Sequence, residues 1–205
     1  MLLTLDHLAV CAETLEAGAA YVEEVLGVTP GPGGQHVQMG THNRLLSLGP
    51  EIYLEVIATD PDAAPPGRAR WFDLDCFEGP PKLTNWVAKC DDLGPVMEAS
   101  PPVDMDIMNL ERGDLRWQMA APKDGRVAFD GAFPALISWV GSKHPAARLT
   151  DLGCRLEKLR IFHPQAALLR DYIEPIADMA MLQIVTGPEV RIEAHIRTPS
   201  GLRIL

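Results

Sequence analysis

The chain has no apolar run near the ~18 residues that a membrane-spanning helix needs. Its N-terminus has no basic region, and Asp6 interrupts the apolar residues there, so no secretory signal is expected. No two of the four cysteines, Cys11, Cys76, Cys90 and Cys154, form a C-x-x-C pair, which removes the common zinc knuckle. Nothing around them resembles an activated thiolate site. Free thiols in a reducing cytosol, and hence a cytoplasmic protein, are the expectation. Basic residues are in deficit: 18 Lys and Arg stand against 28 Asp and Glu, for a net charge of −10. Phosphate backbones need a basic surface, so nucleic acid is not the expected partner. A small anionic ligand remains compatible, because it senses the local charge of a cleft.

What is present is enough for a real core. Hydrophobic residues make up 47% of the 205, which suits one large domain or two small modules. Leu3–Val10 alternates as a strand, with His7 on the face of Leu3, Leu5 and Ala9. Thr14 is placed to cap a helix that runs to about Leu26, and Gly27 ends it. Strands are expected at Gln35–Met39, Asn43–Leu48 and Ile52–Ala58. Residues 60–70 are a connection rich in proline and glycine. Trp71–Phe77 has no assignment.

The pattern recurs. Leu83–Lys89 reads as a strand, Asp92 caps a short helix to about Ala99, and strands follow at Ile107–Leu110, Leu115–Ala120 and Pro134–Val140. It recurs again with a strand at Cys154–Phe162, a helix from His163-Pro164 to about Ile176, and strands at Met181–Thr186, Val190–Thr198 and Leu202–Leu205. The organisation is a βαβββ module over 1–60, a connection over 61–81, and βαβββ-like modules over 82–141 and 142–205, all in one compact domain. Such a module cannot bury its sheet alone, so modules must pair.

A lone charge inside an apolar strand is costly, and two strands here carry one each. His7 sits in Leu5-Asp6-His7-Leu8, and Glu55 in Tyr53-Leu54-Glu55-Val56. Both can face one cleft, or they can be a satisfied pair inside a barrel. Aligning the repeats puts Trp86 opposite His7 and Ser138 opposite Glu55. In the third unit Lys158 answers His7, and Glu55 is answered by Glu193 on residue pattern or by a residue near Arg203 on strand count. His36, Thr41 and Asn43 cluster on neighbouring strands, either as ligand contacts or as turn and strand-edge chemistry. Arg112, Arg116 and Trp117, with Trp86 and Trp139 nearby, read as a pocket for an anionic or aromatic ligand, or as arginines lying over core tryptophans. Arg191, Glu193, His195 and Arg197 share one strand face, either solvated or lining a charged cup.

The start Leu-Asp-His-Leu-Ala-Val, the helix end Val-Leu-Gly and the strand Tyr-Leu-Glu-Val-Ile resemble the vicinal oxygen chelate superfamily, which includes glyoxalase I, extradiol dioxygenases and fosfomycin-resistance proteins. Gly33-Gly34-x-His36 with Gly40-Thr41-x-Asn43 and Tyr53-Leu54-Glu55 resembles its glyoxalase-like domain branch, as do Leu115-Arg116-Trp117 and His144-Pro145. The resemblance implies an α+β fold in which βαβββ modules pair into a curved, cup-like mixed sheet. In the superfamily's enzymes a divalent metal sits in the cup, held by first- and fourth-strand residues. It implies His7 and Glu55 as ligands, with Glu193 completing a facial triad for Zn, Ni, Mn or Fe(II), and open positions for two substrate oxygens. Lys158, set between Glu55 and Glu193, is a metal-free alternative. The expected activity is isomerase or lyase chemistry on a substrate with adjacent oxygens, with Glu55 moving a proton. The expected partners are an anionic small molecule and, as a homodimer, a second copy of the chain, with no nucleic acid and no membrane. The rival is a metal-free binding protein that stacks its ligand on Trp86, Trp117 and Trp139.

Overall fold

The computed structural model describes residues 2–205. Strand β1 (Thr4–Cys11) is followed by helix α1 (Leu15–Leu26), β2 (Gly31–His36), β3 (Thr41–Ser47) and β4 (Tyr53–Thr59). Thr14 caps α1 by accepting from the Ala17 amide at 3.2 Å, and Gly27 closes it at φ 69°. The helix buries Leu15, Ala19, Val22 and Leu26 against the sheet. Strand β2 lies over the Gly-Pro-Gly-Gly stretch, earlier than the expected Gln35–Met39, because residues 37–40 are spent on the hairpin turn into β3.

A 3-10 segment, Trp71–Cys76, leads to the second unit: β5 (Lys82–Lys89), α2 (Leu93–Ala99), β6 (Met105–Arg112), β7 (Leu115–Pro122) and β8 (Ala135–Trp139). The two units form one eight-stranded sheet in the order β2-β3-β4-β1-β5-β8-β7-β6. In each unit the first strand lies parallel to the fourth, and β1 meets β5 antiparallel at the centre. The sheet curls until its edge strands β2 and β6 touch. Its two faces bury separate cores. One holds Leu8, Val10, Leu54, Val56 and Trp86; the other, inside the curl, holds Ala9, Cys11, Ile57, Val87, Trp117 and Ile137. A fully buried leucine such as Leu8 or Leu54 contributes ~2 kcal/mol.

The register fixes which positions correspond between the halves. Cys11 pairs with Ile57, and the Ala12 amide donates to Ile57 O. Lys89 pairs with Ile137, and the Cys90 amide donates to Ile137 O. His7 therefore corresponds to Asn85 and Glu55 to Ala135. This corrects the expected counterparts Trp86 and Ser138. Trp86 points to the other face, where its Nε1 donates to Ala132 O at 2.9 Å, so it is core and not cup. Ser138 donates to Asp91 O.

The third unit is β9 (Arg155–His163), α3 (Ala166–Ile173), β10 (Leu182–Thr186), β11 (Arg191–Thr198) and β12 (Gly201–Ile204), a separate four-stranded sheet ordered β10-β9-β11-β12. Its element order matches the repeat, but its pairing does not: β9 runs parallel to its second strand, β10, and antiparallel to β11. Leu156, Leu159, Ile161, Ile192, Ala194 and Ile196 join the core of Leu8 and Trp86, outside the curl. The opposite face carries Arg191, Glu193, His195 and Arg197.

Candidate active site in the cup

The site is built from the bottom of the curl upward. Strand β1 has a bulge between Leu5 and His7: Leu5 faces Ala88 and His7 faces Val87, leaving Asp6 as the extra residue. A bulge re-aims a side chain that alternation would send to the other face. Asp6, fully buried, thus reaches His7 Nδ1 at 2.6 Å with one oxygen and accepts from Trp139 Nε1 and His144 Nε2, both at 2.9 Å, with the other. Burial opposes its charge, but hydrogen bonds from His144 and His7 prevail and hold the carboxyl well below the usual carboxylate range.

His7 stacks on Tyr53, with ring centroids 4.5 Å apart. Its Nε2 lies 3.5 Å from Glu55 Oε2. Burial disfavours the imidazolium, yet the bond to Asp6 and then the contact with Glu55 outweigh burial and raise its pKa to about 9. Glu55, on β4, is likewise buried; the bond and charge of His7 and the bond from Asn43 overcome burial and lower its pKa to about 2. Burial of the Tyr53 hydroxyl, reinforced by Asp6 and Glu55, pushes its pKa well up.

Asn43 sets the next link. Its Oδ1 accepts from the Gly34 amide at 2.8 Å and from Arg112 Nη1 at 3.0 Å, so its amide nitrogen must face Glu55 Oε1, 2.5 Å away. This packing requires the Gly33-Gly34 pair. A Cβ on Gly33 would collide with Asn43 Oδ1 and the Asn43 backbone, and one on Gly34 would stand 2.9 Å from the Arg112 side chain. Arg112 comes from β6, across the seam where the two sheet edges meet. His36 Nδ1 lies 3.1 Å from Thr41 Oγ1, while its Nε2 faces two donors, Asn43 Nδ2 at 3.4 Å and Arg112 Nη1 at 3.5 Å. That environment assigns a neutral ring with the proton on Nδ1 and a lone pair on Nε2. Burial, with Arg112 and His7 adding to it against Glu55, lowers the pKa of His36 to about 4.

Trp71, Phe72, Trp117, Met119, Ile137 and Trp139 complete the wall. The space left is ≈ 30 Å³, room for a water or two. Trp71 Nε1 is buried and has no hydrogen-bond partner among the described residues. Outside, His36 and Trp117 also border a vestibule of ≈ 670 Å³ walled by Val37, Arg116 and Val140.

The structure therefore brings together His7, Glu55, His36, Asn43, Arg112, Trp117 and Trp139. It separates others. Arg116 lies in the vestibule, bound to the Gly113 carbonyl and to Glu111. Glu193 cannot be a third ligand: it sits on the outer face of the second sheet, paired with Arg160 and Arg191, across a core from His7. Lys158 is on that same sheet, paired with His195 in the ladder. Sequence reasoning missed Asp6, Tyr53, Trp71, Phe72, Met119, Ile137 and His144. The one available signal was Asp6-His7 itself, two consecutive polar residues in an otherwise apolar strand, which strict alternation cannot satisfy without a bulge.

Superfamily members commonly use a divalent metal, but these donors do not fit one. Among the described residues no group of three or more His, Cys, Asp or Glu is arranged to hold an ion. His7 Nε2, His36 Nε2 and Glu55 do converge, at 3.5 and 4.0 Å. However, two carboxylates stabilise the proton on His7, the Arg112 guanidinium stands beside His36 Nε2, and Asn43 occupies Glu55 Oε1. The second half offers Asn85 and Ala135 where a further ligand pair would be needed.

Two βαβββ units joined by antiparallel first strands, with the polar residues inside the curl, define the vicinal oxygen chelate class of fold. The glyoxalase-like domain model matches residues 5–177, and the chain belongs to that family. A hypothetical protein from Staphylococcus aureus has the same fold at 16% identity and a TM-score of 0.67, covering 97% of this chain and 92% of its own. Methylmalonyl-CoA epimerase from Mycobacterium tuberculosis is similar at 15% identity and a TM-score of 0.45, covering 68% of this chain and 88% of its own. A variant of Streptomyces coelicolor methylmalonyl-CoA epimerase, in complex with 2-nitronate-propionyl-CoA, gives 13% and 0.45, covering 70% and 100%. Among curated proteins none matches. No helix is long and apolar enough to cross a membrane among the described residues.

Proposed function

We propose that the chain is a small-molecule enzyme of isomerase or lyase type that moves a proton at the carbon beside a carbonyl or carboxylate, on a substrate with adjacent oxygens. The observation that carries this reading is a buried carboxylate, Glu55, set against the His7 imidazole and the Asn43 amide, in a cup whose wall also holds Trp71 and Arg112. Among the described residues Trp71 Nε1–H has no partner, the His7 Nε2 contact to Glu55 is stretched to 3.5 Å, and Arg112 adds a fixed positive charge. Donors aimed at one place stabilise negative charge that develops on oxygen.

The substrate oxygens displace the water that the cup has room for and dock on Trp71, His7 and Arg112, while the rest of the substrate stays in the vestibule. An oxygen that takes the His7 Nε2 proton as its hydrogen-bond donor loosens the His7–Glu55 pair. Glu55 then keeps its burial but loses its strongest stabilising partner, so its basicity rises. It takes the proton from carbon, the C–H electron pair moves onto the carbonyl oxygen, and the enolate is held by His7 and Trp71. Return of the proton to carbon gives an isomer; departure of a group from the neighbouring carbon gives a lyase product. The vestibule beyond His36 and Trp117 supports a substrate with a further extended part.

The test is exchange of C–H for C–D in D2O, followed by NMR, on a panel of 2-oxo acids, hydroxycarbonyls and malonate-type dicarboxylates. The expected result is enzyme-dependent exchange on at least one of them, lost at least ~100-fold in Glu55→Gln and unchanged after exhaustive EDTA treatment. Exchange that vanishes with EDTA and returns with one added metal overturns the metal-free reading. A second reading, a small-ligand binding protein, is favoured by the low pKa of Glu55, about 2, which makes it a weak base in the empty cup. Saturable quenching of Trp fluorescence by a panel member, with no exchange on any, selects that reading.

A further inference from the structure

A second pocket, ≈ 500 Å³, opens beyond Phe72 on the same concave side of the sheet. Phe72 lines both this pocket and the cup and so divides them. The mechanism above uses nothing in it.

Asn85 reaches this pocket from β5. It is 4% exposed, and its carboxamide makes no hydrogen bond among the described residues. An amide that lines a pocket and is unpaired within the chain is free to pair with a ligand or with water. It is the register equivalent of His7, in a half whose fourth strand answers Glu55 with Ala135. Gly131 lines the pocket beside it, and a Cβ there would stand 2.8 Å from Asn85 Nδ2 and 2.6 Å from Thr84 O. The bare backbone thus leaves the amide edge uncovered. The four non-glycine residues with positive φ among the described residues are Phe72, Asp73, Phe129 and Asp130, and three of them line this pocket. Backbone strain of this kind concentrates at ligand sites.

The lining also states what kind of ligand fits. Arg126 is held by Asp73 at 3.2 Å, and Lys82 lies over the Phe77 ring at 5.7 Å. Glu78 and Asp130 add negative charge, so the lining does not favour an anion. Phe72, Phe77 and Val127 give flat apolar walls. Asn85 offers one donor edge and one acceptor edge side by side.

We propose that this pocket is a second ligand site, which takes a neutral carboxamide carried on a flat apolar group, with Asn85 pairing both edges of the amide. It differs in chemistry from the cup, whose free groups are donors for oxygen.

The test is titration of the 15N-labelled protein with benzamide, benzoate and toluene. The expected result is saturable benzamide binding that shifts the Asn85 side-chain amide and the Gly131 backbone amide. Benzoate and toluene should bind at least 10-fold more weakly. In Asn85→Leu benzamide affinity should fall at least 10-fold, while Glu55→Gln should leave it unchanged. Equal binding of the three probes overturns the proposal, as does benzamide binding that survives in a folded Asn85→Leu protein. Shifts confined to His7 and Trp71 overturn it too, because they place the probe in the cup. If Asn85→Leu does not fold, the ranking of the three probes on the natural chain decides alone.

Discussion

The two halves of the curled sheet share a backbone and differ in almost every side chain that faces inward. The ladders align His7 with Asn85, His36 with Leu110, Thr41 with Trp117, Asn43 with Met119 and Glu55 with Ala135. One half presents a linked polar wall and the other an apolar wall with a single amide. The scaffold is duplicated and the chemistry is not. A cup built this way orients its ligand, because a polar group gains partners on one side only, while flat carbon surface gains Trp117, Met119 and Ile137 on the other. Superfamily cups that hold a metal need donors from both halves; here the second half has none to match Glu55.

The sharpest way to break the comparison is to put the missing carboxylate into the apolar half. Ala135→Glu buries a carboxyl among Val87, Met119 and Ile137. The expected loss is ~5 kcal/mol, from desolvation and overpacking together. Urea unfolding at pH 7 and again at pH 4.5 measures it, and protonation of the introduced carboxyl should recover part of the loss at the lower pH. A loss below ~1 kcal/mol at pH 7 would mean that the two walls are interchangeable.

The polar wall should fail from its foundation. Asp6→Ala leaves the donors of His7, Trp139 and His144 without their shared acceptor, at an expected cost of ~4 kcal/mol. It should also lower the His7 pKa from about 9, since the bond to Asp6 is the leading contribution that raises it. The shift is readable from imidazole resonances in an NMR titration. A His7 pKa unchanged in that variant would show that Glu55 alone sets its charge.

How much of this could be read from the chain depends on whether alternation held. It held for β4 and β3, so Glu55 and Asn43 were recognisable beside His36 from spacing alone. It failed at Asp6, where the bulge turns a residue that alternation assigns to the helix-side core into the anchor of the site. It also failed between the halves. Aligning the first strands of the repeats by residue type shifts the true register by one, and that shift exchanges Asn85 for Trp86. Trp71 and Phe72 lay in a segment with no periodicity, because a 3-10 turn with positive φ at Phe72 has none to show. The third unit repeats the element order, but strand order is decided by long-range pairing that order alone does not encode. Glu193 matches Glu55 only in the local pattern Arg191-Ile192-Glu193-Ala194, and it lies on the other sheet.

The polar wall also predicts a pH window. The His7 pKa rises from 6.5 to about 9 on folding, so its contribution is complete below pH 6.5 and is lost as pH climbs through 9. The Glu55 pKa falls from 4.5 to about 2, so its contribution is complete above pH 4.5 and is lost as pH drops through 2. Stability should peak between about 4.5 and 6.5 and decline by ~3 kcal/mol toward pH 10. The natural chain and His7→Phe, compared by denaturant midpoints across pH, separate this loss from general alkaline destabilisation. Parallel curves would remove His7 from the account.

The smallest expected effect separates the two faces of β5 and β8. Trp86→Phe loses the bond to Ala132 O and leaves that carbonyl buried, at ~1–2 kcal/mol. Trp139→Phe loses the bond to Asp6 and costs a similar amount. Equal stability losses should have unequal consequences. Trp86 packs outside the curl, so its substitution should leave the His7 pKa and ligand-induced Trp quenching in the cup unchanged apart from a lower baseline. Trp139 touches Asp6, His144 and Trp117, so its substitution should move both. A Trp86→Phe protein that shifts the His7 resonances as far as Trp139→Phe does would show that the two cores are coupled through β5, and that the cup cannot be treated as one face of the sheet.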